Sequence, residues 1–446
     1  MKRSAWRYLW TSQDIRKKLV ITILLLIIYR LAANIPVPGI ERDVIRSIAT
    51  SNSAGANLFN LLDLLSGGTI SNFSILAMGV YPYITAQIII QLLVPIIPAL
   101  DRRLKDNPRE GRVLMEKWTT MLTIPMAFLS AIGQVNIFGT MVTTGQSILT
   151  TPFGFTGASL VPTLTLLISM VAGTMFGIWL GQLISEFGIP NQGLSLIIFA
   201  GIISRIPTKL VGILADKVNG WWMLLLMVAI LGLTIFAIVY VQQGRRNVPV
   251  LFPGRRVGNR MSMPVRSNLP LLVNMAGMIP LIFAQTFLSF PALIASWFPK
   301  YIATGHGFWY WIYNNFSGSG WLYPVIYFIL VVAFSFFYTD VLFTQQNYGE
   351  TLKKQGAQIP GVVRGGPTQK YLTKVQRRIT FPGAFFLGFV AVLPYILGAI
   401  LPTAKSTLFV ISAAGLLIVV GVVRDTFTII ETELKVHGYD ESIIKG

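Results

Sequence analysis

No cysteine occurs in the 446 residues, which excludes disulfides, thiol chemistry and thiolate-held metals. Histidine is nearly as scarce, with only His306 and His437. Charged residues make up 12% of the chain, about half the share of an ordinary soluble domain. No His-Glu-x-x-His occurs and no paired acids sit inside an apolar run, so the usual membrane-protease chemistries have no residues to work with. The sequence also lacks a Gly-x-x-x-x-Gly-Lys-Ser/Thr loop, so energy for any uphill step must come from outside the chain. No apolar run has an ionisable residue near its centre. Arg30, Arg205 and Asp340 lie toward run ends, where a long side chain snorkels to the interface. Ion-coupled transport usually needs buried acids, His or Lys, and these are missing.

What fills the chain is apolar sequence, 53% of all residues. Ten runs approach the 20 or so residues that cross a bilayer, at 19–33, 74–96, 118–138, 159–182, 193–207, 221–241, 270–290, 321–343, 379–399 and 406–423. The basic start "MKRSAWRYLW" is followed by no small-residue cleavage site, so the first run reads as a retained span. If the N-terminus is inside, segments 1–18, 97–117, 242–269, 341–378 and 424–446 hold 28 of the 36 Lys and Arg. That bias puts both termini in the cytoplasm. The expected fold is an all-α integral membrane protein of ten transmembrane helices in two inverted halves of five. Its parts are a basic N-tail at 1–18, an N-terminal half at 19–207, a C-terminal half at 208–423 and a C-tail at 424–446. The net charge of +19 is concentrated in the inner loops. It suits either anionic lipid or an acidic partner such as ribosomal RNA. Gly and Pro punctuation, as in "QIPGVVRGGP", favours protruding hairpins in loops 242–269 and 341–378.

Two features stand out within the runs. "MGVYPYITAQ" (78–87) and "AGMIPLIFAQ" (276–285) share Gly-x-x-Pro-x-Ile-x-Ala-Gln, in the second and seventh runs. Paired, interrupted helices of this kind mark functional sites between inverted repeats, and Pro82 and Pro280 are expected to bend them. The stretch "NLFNLLDLLSGGTISN" (57–72) puts Leu58, Leu61, Leu62 and Leu65 on one helical face and stops at Gly67 and Gly68. By periodicity alone it is either a helix lying on the outer leaflet or a stub folded back into the membrane.

The chain resembles the SecY family, the pore subunit of the bacterial protein translocase, through "IPVPGI" (35–40), "LLSGGTISNFSILAMGVYPYITAQIIIQLL" (64–93), "GTMFGIWLGQLISEFGIPNQGLSLIIFAGI" (173–202), "LPLLVNMAGMIPLIFA" (269–284), "FPALIASWF" (290–298) and "LKKQGAQIPGVVRG" (352–365). The resemblance implies a channel without enzyme activity or cofactor. It would conduct unfolded secretory polypeptides and release hydrophobic segments sideways into lipid. The alternative function is a polytopic solute permease. Under the resemblance, residues 57–72 become a re-entrant plug carried by Leu58, Leu61, Leu62, Leu65, Gly67 and Gly68. Val80, Ile84, Leu194, Ile198, Ile282 and Ile418 become a constriction, whose branched alkyl groups exclude ions by dewetting. Thr85, Gln91 and Asn274 match positions in a lateral gate, where buried polar groups are expected to pair with one another.

On the cytoplasmic side the resemblance makes Arg364, with Arg255 and Arg256, contacts for the ribosome or the SecA motor ATPase. It further implies small SecE-like and SecG-like membrane subunits, signal sequences and nascent polypeptides as clients, and a bacterial inner (plasma) membrane location. Several partner-contact positions depart from the family pattern. Loop 242–269 reads "QQGRRNVPV", Leu272 stands where a lysine is common, and the tail's "VHGYDES" lacks the usual basic residue near Tyr439.

Overall fold

The computed structural model describes residues 13–40, 73–94, 97, 98, 100, 108–141, 153–154, 157–204, 206–207, 220–253, 256–257, 260–261, 265–296, 298, 306–316, 320–400 and 413–436. Residues 57–72, Arg255 and His437 therefore lie outside the described residues. Every apolar run contains a helix. These are α1 Gln13–Ala32, α2 Tyr81–Leu93, α3 Pro108–Met141, α4 Leu160–Phe187, α5 Gly193–Ile203, α6 Gly220–Gln243, α7 Ile279–Ser296, α8 Leu322–Gln346, α9 Gly366–Ile400 and α10 Ala413–Val436. Five of the described helices are long and apolar enough to cross a membrane, those within α3, α4, α6, α8 and α9.

The first five helices pack among themselves through α1–α4–α5 and α2–α3, and the last five through α7–α8–α9 and α6–α10. The two groups meet where α5 packs on α10 and where α7 packs on α2 and α3. In lipid, helices gain nothing from hiding apolar surface, so close approach of backbones has to hold them. Glycine supplies it on α4: a Cβ on Gly173 would strike the Ile75 carbonyl, and one on Gly193 of α5 would strike the Gly181 carbonyl.

The second and seventh runs begin differently from the expected helices. Residues 73–80 and 273–278 are irregular, and the helices start only at Tyr81 and Ile279. Gly79 and Gly277, at matching places in the motif, adopt φ of 51° and 65°. Pro82 and Pro280 then sit in the first helical turn, where the missing N–H has no intrahelical partner to lose. They begin the helices and do not bend them, which corrects the sequence expectation. The repeated Gly-x-x-Pro motif thus encodes one backbone shape used twice. The non-helical stretch before α2 satisfies its polar backbone internally, since Ile75 N donates to Ile35 O at 2.9 Å and Val37 N to Phe73 O at 3.1 Å.

The fold is mostly helical, as expected, with one β element added. Loop 242–269 forms an antiparallel hairpin of β1 Arg245–Phe252 and β2 Val265–Leu272, with a small ladder of Arg256–Val257 and Arg260–Met261 inside it. Val248 and Val250, two residues apart in β1, turn to one face and are buried.

Candidate functional site

The two halves close on an apolar cluster at the centre of the bundle. Val80, from the turn before α2, meets Ile198 of α5, Ile282 of α7 and Ile418 of α10 there, all buried, and Ile84 and Leu194 pack against them. All six residues expected to form a constriction therefore belong to one cluster, drawn from both halves. Ile84 and Ile282 each follow their helix-starting proline by two residues, so the shared motif delivers them to equivalent positions. Leu194 is seated by glycine, because a Cβ on Gly181 would come within 2.8 Å of its Cδ2. Met278, Ile202 and Val422 also join this cluster. Apolar type alone does not distinguish them from lipid-facing neighbours in the sequence.

A cavity of about 440 Å³ rests on this cluster, on the side of the bundle that carries the hairpin. Ile84, Leu194, Ile198 and Ile282 line its floor, while Gln87, Gln192, Gln242 and Asn274 are among its polar walls. Branched side chains offer water no partner, so a constriction lined by them resists wetting.

One wall of the cavity is a seam between α2, α7 and α8. Ile88 of α2, Phe283 of α7 and Tyr338 of α8 are buried together with Ala276, and Ile84, Leu92, Ile279, Phe334 and Leu342 pack on them. Phe283 meets Phe334 and Tyr338 edge-on, at centroid distances of 6.0 and 5.6 Å. Two polar contacts cross the seam. The Tyr81 and Ser289 hydroxyls lie 3.2 Å apart, and the Gln91 side chain hydrogen-bonds Tyr338. Thr85, Gln91 and Asn274 do not pair with one another as expected. Thr85 Oγ1 donates to Tyr81 O of its own helix at 3.0 Å, and Asn274 Nδ2 donates to Gly277 O at 3.1 Å. Each finds a nearer backbone acceptor, the common fate of a helical hydroxyl or a turn amide. Nothing in the sequence points to Tyr81 with Ser289, 208 positions apart and of ordinary type for a membrane helix.

Arg364 lies exposed on a braced loop. Leu251 of β1 and Gln358 exchange both backbone hydrogen bonds at 2.8 Å, and Gly361 and Gly365 turn the chain with φ of 79° and 93°. Thr368 Oγ1 donates to Val363 O at 2.8 Å. Beneath the loop a separate core joins Val248, Val250 and Leu271 of the hairpin to Phe343, Leu352, Ile359 and Leu372. Loops 242–269 and 341–378 thus form one packed unit. The backbone of Arg256 belongs to the hairpin's inner ladder.

The bundle thus sets an apolar cluster drawn from both halves beside a cavity lined by amide and apolar side chains. The SecY family profile matches residues 74–427. A protein translocase subunit SecY of Streptomyces galbus is 35% identical, over 98% of this chain and 99% of its own. Among solved structures, one described as "The structure of a protein conducting channel" is similar at a TM-score of 0.63 and 18% identity, with both chains fully covered. Sec61 in the canine ribosome-channel complex is similar at a TM-score of 0.59, also 18% identical and fully covered. The chain belongs to the SecY family, and it is a multi-pass membrane channel for protein translocation.

Proposed function

We propose that unfolded polypeptides pass from the vestibule through the cluster of Val80, Ile84, Leu194, Ile198, Ile282 and Ile418, and that hydrophobic segments leave sideways by parting α2 from α7 and α8. One observation carries this reading: six side chains from both halves form one apolar cluster, and four of them line a cavity with several amide side chains that borders a thinly tied seam. Interhelical hydrogen bonds in membranes average about 0.6 kcal/mol, so Tyr81–Ser289 and Gln91–Tyr338 hold the seam without locking it. Thr85 and Asn274 set the backbone at its rim. Residues 57–72 act as the plug.

The chain does no covalent chemistry in this reading. A SecA-like motor or a ribosome supplies the drive by docking on the braced hairpin and loop, with Arg255, Arg256 and Arg364 as contacts and SecE-like and SecG-like subunits alongside. The hairpin side and both termini face the cytoplasm of a bacterial cell, and the bundle lies in its inner membrane. The Lys and Arg bias supports this orientation.

The test is electrical. Ile84→Asn with Ile198→Asn gives water amide partners inside the constriction, so resting membranes carrying the double variant should leak small ions. The same changes at Ile27, which is exposed, and at Leu231, in the α6–α9 cluster, should not. A tight double variant present at normal level would remove the pore assignment.

A further inference from the structure

We propose that Asp425 receives the basic residue flanking the hydrophobic segment of a client polypeptide and so helps to select and orient that segment. This rests on the conducting reading above. Arg424 and Asp425 are the charged residues among those lining the vestibule, and the remaining side chains there are neutral amides, hydroxyls or apolar groups. Arg424 is already committed. Its Nη1 donates to Gln242 O at 3.1 Å, a carbonyl in the last turn of α6 that has no intrahelical donor. The other contact it makes is to Asp425, with Nε 3.7 Å from Oδ1.

The carboxylate is less committed than its neighbour. A carboxylate has about four acceptor positions, and this one has no further hydrogen bond or ion pair among the described residues. Its side chain is 47% exposed, so an incoming group can reach it. Asp425 lies beyond the apolar run 406–423, where burial pushes its carboxyl up and Arg424 pulls it down. A second cation would favour the ionised form.

The same cavity presents Ile279, Phe283, Tyr338 and Leu342 from the seam. A client with an apolar segment against that wall therefore has its hydrophilic flank beside α10. A spare acceptor there suits an ammonium or guanidinium group and repels a carboxylate. Holding the cation on this side fixes the segment with its basic end inward, the orientation membrane segments adopt.

The experiment uses the full chain with its membrane subunits and driving partner in vesicles. Two secretory precursors are supplied, differing only in three Lys or three Gln before the hydrophobic segment, and the ratio of their uptake rates is read. Asp425→Asn should cut the advantage of the Lys precursor by about three- to five-fold, the scale of a half-exposed ion pair. Asp425→Glu should retain it. Because the chain has no cysteine, Asp425→Cys can also be folded first and then modified at one thiol. An anionic adduct should restore the Lys advantage and a cationic adduct should reverse it. Equal ratios for the two adducts, or loss of the advantage in Asp425→Glu as in Asp425→Asn, would overturn the proposal. Failure of the unaltered channel to take up either precursor would instead overturn the conducting reading on which it rests.

Discussion

At the scale of single residues, glycine decides how near the helices come. Gly193 sits against the Gly181 carbonyl, and its own N–H donates to Ser185 Oγ at 3.1 Å. Gly193→Ala is expected to lower stability by roughly 1–3 kcal/mol, as overpacking does, and to displace Leu194 next to it. Gly232 is the contrast. It is exposed on α6 with nothing within 4 Å of a would-be Cβ, so Gly232→Ala should stabilise by about 0.5–1 kcal/mol. Thermal unfolding of the two variants in one detergent reads the difference, and equal shifts would mean that the α4–α5 contact does not constrain the bundle. Arg364 carries a separate prediction. Arg364→Glu should impair motor-driven secretion at normal channel level, and raised salt should narrow its gap to the unaltered channel. Arg255→Glu and Lys374→Glu should do less, and an equal loss in all three would reduce Arg364 to one charge in a diffuse basic face.

At the scale of elements, the hairpin and the loop bearing Arg364 behave as one body. Leu251 and Gln358 form a hydrogen-bonded antiparallel pair, whose Cα atoms usually lie about 5.5 Å apart, within reach of a disulfide. Leu251→Cys with Gln358→Cys should therefore cross-link under mild oxidation in idle membranes, whereas Val265→Cys with Gln358→Cys should not. Absence of the first cross-link would mean that the loops move separately. The ten helices were legible because twenty-residue apolar runs leave few other structures in lipid. The starts of α2 and α7 were not, since hydropathy is blind to Gly79 and Gly277 taking left-handed φ and to proline serving as a first-turn residue. The constriction residues were legible only through family resemblance and the repeated motif. Their side chains are of a kind that fills every span. The hairpin had its period of two at Val248 and Val250, masked by the proline between them at 249.

At the scale of the whole molecule, the Lys and Arg bias predicts how the bundle is oriented. Reporter fusions after Phe153 and Thr304 should score as outside, and fusions after Asn107, Gly258 and Gly365 as inside. An inside score at Phe153 would break the ten-span arrangement. Since 28 of the 36 Lys and Arg lie in the inner segments, moving one span would carry a basic loop to the wrong face.

The depth of the vestibule reaches further. It opens one side of the bundle down to Ile84 and Ile282. In the proposed passage the water-filled vestibule conducts ions and cannot sustain a voltage difference, so the membrane potential falls across the apolar layer beyond it, the cluster around Val80, Ile198 and Ile418 included. A Lys or Asp in a translocating chain would then feel most of the voltage within a few ångströms, about 2.3 kcal/mol per charge for each 100 mV. Focused in this way, the potential acts on one residue of the passenger at a time, helping acids outward and holding back bases.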